Sequence, residues 1–266
     1  MACGVLPISA PLAWRRRQTS THTSEQTMTT GIPTGYVIWR GPSALDGAPI
    51  VVIATLQSRN RKTGRMVQTW IMREDIEPHT AQKTGEDVSV CGGCPQRPSL
   101  GGACYVATAQ APLSVWRTYH AGKYPYLSDA DDISELAGTI GARVRAGSYG
   151  DPAAVPLHVW ERFGVRTGYT HQWRSFPGLR GLIMASVDSV GEASEASEAG
   201  WRYFRVRPAG ASLIPGEIDC PSERGVKCID CGLCSGARLG AKNISIEEHG
   251  FRIKSSKRSL PVLAAA

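Results

Sequence analysis

The chain has 266 residues, 42% of them hydrophobic, and carries 30 Lys+Arg against 23 Asp+Glu for a formal net charge of +7. That length suits one large domain, or one domain with a small appendage, and no stretch reaches the roughly 18 apolar residues of a membrane span. The basic balance fits an anionic partner (DNA, RNA or a nucleotide) met in the cytoplasm, although charge alone is weak evidence.

Residues 1–30 read as a disordered extension. An apolar segment from Met1 to Trp14 is followed by Arg15-Arg16-Arg17 and a Ser/Thr/Gln stretch to Met28. A signal peptide has its positive charge before the apolar run, the reverse of this order. An organellar-type leader and an upstream start codon, with Met28 as the functional start, both fit the composition. Cys3 stands alone here.

From Gly31 to Met72 the pattern predicts a β-meander. Tyr36–Trp39, Pro49–Ala54 and Met66–Met72 are short runs rich in β-branched residues. Between the last two lies a turn with Arg59, Arg61, Lys62 and Arg65. It reads either as a solvated hairpin tip or as a phosphate-contacting loop.

Seven of the eight cysteines fall into two sets. The first is Cys91, Cys94 and, nine residues on, Cys104; the second is Cys220, Cys228, Cys231 and Cys234. A two-residue gap lets two sulfurs of one turn meet on one ion. Disulfides fit poorly, because the clustered cysteines are odd in number and the Cys-x-x-Cys pairs are too close to staple distant segments. Four ligands make a closed site; three leave a position open for a small molecule, unless His79 or His120 completes a Cys3His set. How the seven divide between sites stays open.

Beyond Cys104 strands and helices alternate. Helices are predicted over Pro112–Tyr119, from Asp131-Asp132 to Ile140, near Pro156–Phe163 and after Gly191. Strands are predicted over Ala142–Ser148, Arg166–Trp173, Leu182–Val187 and Trp201–Val206. The alternation predicts an α/β fold with a partial parallel (β/α) barrel over residues 31–215. A small Cys-rich metal module (216–250) and a basic tail (251–266) follow.

In such sheets chemistry gathers where strands end. Those ends carry Gly150-Asp151, His171-Gln172-Trp173, Asp188-Ser189, and Arg205 or Arg207. Asp151, His171 and Asp188 are the candidate catalytic residues. The plainer readings are helix caps for the two aspartates and a structural histidine. The tryptophans at 39, 70, 116, 160, 173 and 201 suit a core, with one or two placed to stack on a base.

The stretches Val88–Pro95, Gly102–Val106, Tyr149–Pro156, Thr167–Trp173, Met184–Ser189 and Gly200–Arg202 resemble a family of tailed-phage proteins, mostly from phages of actinobacteria, over about residues 31 to 250. That resemblance implies no particular activity. A looser one is to radical S-adenosylmethionine enzymes, which pair a three-cysteine loop with a partial parallel barrel. It implies a [4Fe–4S] cluster on Cys91, Cys94 and Cys104, with S-adenosylmethionine contacted by Gly150, Asp151, Asp188 and Ser189. The second set would then be an auxiliary cluster, and zinc could replace either. The usual loop spacing is three residues then two; here it is two then nine.

Three functions follow. The first is a phage-type iron–sulfur enzyme acting on a nucleic acid or nucleotide. The second is a zinc-stabilised nucleic-acid-binding protein without catalysis. The third is a base-exchanging, transglycosylase-like enzyme with zinc-held cysteines, using Asp151 and Asp188 as nucleophile and general acid/base.

Overall fold

The computed structural model describes residues 33–56, 58–127, 144–163, 166–238 and 240–248, all within the compact unit that begins at Pro33. The expected leader, Cys3, the basic tail and the helix from Asp131 to Ile140 lie outside the described residues.

Among the described residues, nine strands form one sheet. The first three are β1 (Gly35–Pro42), β2 (Pro49–Thr55) and β3 (Val67–Arg73). They pair antiparallel as the predicted meander, with Val52 opposite Trp39 and Ile71. Ile50 to Ala54 of β2 are buried without a break, so β2 lacks the alternation of a half-solvated strand and is packed on both faces. Three helices follow: α1 (Pro78–Thr84), α2 (Val88–Cys91) and α3 (Ala111–His120).

From β3 onward every pairing is parallel, through β4 (Val144–Tyr149), β5 (Arg166–Thr170), β6 (Met184–Val187) and β7 (Tyr203–Arg207). The short α4 (Leu157–Glu161) and the longer α5 (Val190–Glu198) connect them. β8 (Glu217–Asp219) and β9 (Asn243–Glu247) complete the sheet in the order β7-β9-β8. The fold is therefore α/β with a mostly parallel sheet. The Cys-rich segment, which contains α6 (Cys228–Cys231), is the crossover between two adjacent strands of that sheet.

Alternation divides the core between the two faces of the sheet. Ala185, Val187 and Tyr203 pack in the larger cluster with Ala193 and Ala196 of α5. Their neighbours Met184 and Phe204 point the other way and pack with Ile244, Ile246 and Cys220. Full burial of a side chain such as Met184 or Ile244 contributes about 1.5–3 kcal/mol, so the cysteine crossover is seated on a real apolar floor.

Two strand-end arginines expected near chemistry are taken up by the sheet. Arg205 of β7 reaches across β9 to clasp Glu217 of β8 at 2.7 and 2.6 Å, both side chains being buried. Arg207 likewise reaches Asp219 at 2.7 Å. Among the described residues, no helix is long and apolar enough to cross a membrane.

Candidate active site and the two cysteine sets

The first cysteine set grows out of α2. Cys91 ends that helix, and Gly92 turns the chain at φ +56°. That positive φ favours glycine, and a Cβ there would push aside the end of the Gln172 side chain, 2.6 Å away at Cδ. The amide of Cys94 donates to the carbonyl of Cys91 at 3.2 Å, and that of Cys104 to Gln96 at 2.8 Å. The buried Arg97 holds the loop, pairing with Asp87 at 2.6 Å and donating to the carbonyl of Gly92 at 3.1 Å.

The ends of β4, β5 and β6 come to this loop. Gly150, at φ +83°, passes so close to β3 that a Cβ would stand 2.6 Å from Ile71 Cβ. Asp151 next to it is only 7% exposed, and both carboxylate oxygens accept backbone amides. Oδ1 takes Ala153 N–H at 2.9 Å and Oδ2 takes His171 N–H at 2.8 Å, while the Asp151 amide donates to Val90 O at 2.6 Å. Asp151 thus caps a short turn and straps β4, β5 and α2 together. Burial raises its pKa, against the pull of those hydrogen bonds.

β5 ends at Thr170 rather than Trp173, leaving His171 free of the strand. Its ring meets Asp188 with Nε2 to Oδ2 at 3.0 Å, and the Cys94 thiol lies close enough to act on its charge. Burial opposes a charge on this ring, but Asp188 and Cys94 outweigh it and lift the His171 pKa to about 10. Gln96 donates to the other Asp188 oxygen at 2.9 Å. Burial also pushes the Cys91 thiol well up, helped by Cys94, Asp87, Cys104 and Asp151 around it. Tyr149 is raised by burial and by Cys91, Asp87 and Cys104, and its buried hydroxyl has no hydrogen-bond partner among the described residues.

The helix after β6 is capped by Ser189, whose Oγ accepts the Glu192 amide at 3.1 Å, while Glu192 reaches back to the Asp188 amide at 2.8 Å. That leaves the Asp188 carboxylate to His171. The two histidines considered as fourth ligands are engaged elsewhere. His79 contacts Thr108 Oγ1 at 3.3 Å, and His120 contacts the Glu74 carbonyl at 2.9 Å while its ring centroid lies 3.8 Å from that of Trp116.

All four cysteines of the second set line one cavity of about 20 Å³, with Arg145, Thr167 and Tyr169. A space that small suits a single ion or water rather than an organic ligand. Tyr169 donates to Cys234 Sγ at 3.2 Å, and burial lifts the Cys234 thiol to about 12. Arg145 lies 5.3 Å over the Tyr169 ring and donates at 3.2 Å to Tyr105, the neighbour of Cys104. A chain of contacts from Tyr105 through Arg145 and Tyr169 to Cys234 therefore joins the two cysteine sets. As the side chains stand, no three His, Cys, Asp or Glu groups among the described residues converge tightly enough to hold an ion. Thiol donors of this kind still fit a thiophilic metal better than any other group.

The loop with Arg59, Arg61, Lys62 and Arg65 is exposed at all four cations and leans on the second set. Cys228 N–H donates to Lys62 O at 2.9 Å and Ile229 N–H to Thr63 O at 3.2 Å. Among the described residues, the six tryptophans offer no exposed ring, and the exposed large aromatics are Tyr105 and Tyr126. A wider depression of about 380 Å³ beside α3 shares no lining residue with either cysteine set.

Sequence reasoning passed over Gln96, Arg145, Tyr169 and Arg202 as site residues. Only Tyr169 carried a signal, as the alternate neighbour of His171. Comparison with protein-family models, curated proteins and solved structures finds no match.

Proposed function

We propose that this protein is a thiolate-metal enzyme of the iron–sulfur type, on a parallel sheet that curves as a partial barrel, acting on a nucleic acid or nucleotide. One observation carries the reading: the loop of Cys91, Cys94 and Cys104 lies beside a His171–Asp188 pair where β4, β5 and β6 end. In that role Cys91, Cys94 and Cys104 hold the group, which when bound supplies single electrons. The partnerless Tyr149 hydroxyl beside them fits a site that takes a further ligand. His171 keeps a proton on its Asp188 side, with Cys94 nearby. Gln96 fixes the second Asp188 oxygen, and Asp151 sets the ring's height through the His171 amide. The exposed cations of the 59–65 loop supply sequence-independent phosphate affinity.

The residues expected around S-adenosylmethionine do not fit it well. Asp151 has both oxygens taken by amides and Ser189 is a helix cap, so no step is assigned to that cofactor. The same engagement of Asp151 speaks against its service as a base-exchanging nucleophile.

A second reading has its own support. A histidine held by a carboxylate at one ring nitrogen, with a cysteine nearby, would suit the carboxylate–histidine–metal arrangement of zinc sites. His171 would then complete a Cys3His set, and the protein would be a zinc-stabilised binder.

The deciding experiment is metal and sulfide content of protein purified without oxygen, with its absorption spectrum. Iron, sulfide and a band near about 400 nm support the enzyme. Zinc alone, with a colourless sample and loss of the first zinc in His171→Asn, supports the binder and sinks the enzyme.

A further inference from the structure

Among the described residues, Arg202 is a buried cation without a carboxylate partner. It enters β7 beside Trp201 and is 7% exposed. Its Nη1 donates to the carbonyls of Leu233 at 2.8 Å and Ser235 at 2.5 Å, and its Nη2 to Lys242 at 2.7 Å, while Nε has no partner. The other deeply buried arginines among the described residues are balanced: Arg97 by Asp87, Arg205 by Glu217 and Arg207 by Asp219. Carbonyl oxygens satisfy N–H groups but do not neutralise a guanidinium, and arginine does not shed its proton. The two carbonyls gripped by Nη1 flank Cys234.

The cavity next to that residue is short of negative charge in the same way. Arg145 lines it, Thr167 adds a hydroxyl that is 2% exposed at its residue and has no hydrogen-bond partner, and the remaining polar lining is largely thiols. Four neutral thiols would leave both guanidiniums without a counter-charge. Four thiolates on a divalent ion, or on a [4Fe–4S] cluster in its 2+ state, carry a net charge of −2, and two arginines match it.

We propose that Cys220, Cys228, Cys231 and Cys234 hold a tetrathiolate metal centre, that Arg202 and Arg145 are its counter-ions, and that its loading fixes the basic 59–65 loop. Binding asks the four thiols to turn into the cavity they already line. The loop follows because its Lys62 and Thr63 carbonyls accept the amides of Cys228 and Ile229, and because Gly64 leaves room for Ile229, whose Cγ2 would stand 2.9 Å from a Cβ there. Arg202 acts through Cys234 and the loop around it, so it is a positioning residue. The proposal holds whether the first cysteine set carries iron, zinc or nothing.

The test uses the full chain. A Cys91→Ser/Cys94→Ser/Cys104→Ser variant should retain one metal centre per chain, and adding Cys228→Ser should remove it. Zinc without sulfide identifies a single ion; about four irons with equal sulfide identify a cluster. Arg202→Gln should release metal to a chelator at 10- to 100-fold lower concentration, the range for losing a group behind a ligand, while Arg202→Lys stays near wild type. Metal removal should open the 59–65 loop to trypsin. Should Arg202→Gln fail to fold, Arg145→Gln serves the chelator arm, and cadmium NMR of the wild-type protein reads the ligand set directly. A metal-free triple variant, a cadmium signal outside the four-thiolate range, or chelator resistance unchanged in both arginine variants would overturn the proposal.

Discussion

The two cysteine sets differ less in ligand number than in what surrounds them. Around Cys91, Cys94 and Cys104 stand Asp87 paired with Arg97, Asp188 paired with His171, and the buried Asp151. Around Cys220, Cys228, Cys231 and Cys234 stand Arg145 and Arg202, with the Lys62 backbone clasped to Cys228. A shell of paired acids and bases keeps protons close to the thiols, which suits a site that reacts or exchanges what it holds. A cationic shell offsets part of the cost that burial puts on thiolates at Cys234, which suits a site that stays loaded.

The largest test of this contrast is loss of a ligand on the cationic side. Cys228→Ser should remove a metal contribution on the order of 10 kcal/mol and abolish cooperative thermal unfolding, whereas Cys94→Ser should leave a sharp transition. If both melt alike, the contrast between a reactive and a structural set is wrong.

Next in size is Asp151→Ala. It strands the Ala153 and His171 amides, each costing about 1–3 kcal/mol when buried and unpaired, so urea unfolding should shift by a few kcal/mol. His171→Asn should change stability less, yet abolish any activity dependent on the first set.

A pH series sharpens the same side. In metal-free protein the raised His171 pKa means that its contribution is complete below its unfolded value near 6.5 and fades as pH rises toward about 10. Urea midpoints of wild type and His171→Asn should therefore converge across that interval as pH increases. Midpoints that stay equally separated would remove the Asp188–His171–Cys94 link.

The smallest effect on stability belongs to the basic loop. Replacing Arg59, Arg61 and Arg65 by Gln should alter stability by no more than about 0.5 kcal/mol. The slope of log affinity for duplex DNA against log salt should fall by about 2.7 if all three touch phosphate.

Much of this was legible in residues. The unbroken apolar run at 50–54 announces a doubly buried strand, and the cysteine spacings mark both candidate sites. Asp188 and Ser189 sit side by side, but only geometry decides which caps the helix: Ser189 reaches the Glu192 amide, and Asp188 turns to His171. β9 was hidden in plain view. Asn243-Ile244-Ser245-Ile246-Glu247 alternates as a strand should, yet it lies in a stretch whose cysteines suggest a separate module. Arg202 carried no signal, because nothing in Trp-Arg-Tyr tells a buried counter-ion from a surface charge. Nor could spacing reveal that Tyr105 and Tyr169, 64 positions apart, face one guanidinium.

The sheet order β7-β9-β8 has a consequence for assembly during synthesis. β8 leaves the ribosome before β9, yet it can join the sheet only through β9, which must enter between β7 and β8. Until residue 247 has emerged, β7 is an open edge with Phe204 and Val206 uncovered and Arg205 still waiting for Glu217. A nascent chain stalled before Asn243 therefore exposes a sticky strand edge, and the far side of the sheet closes last.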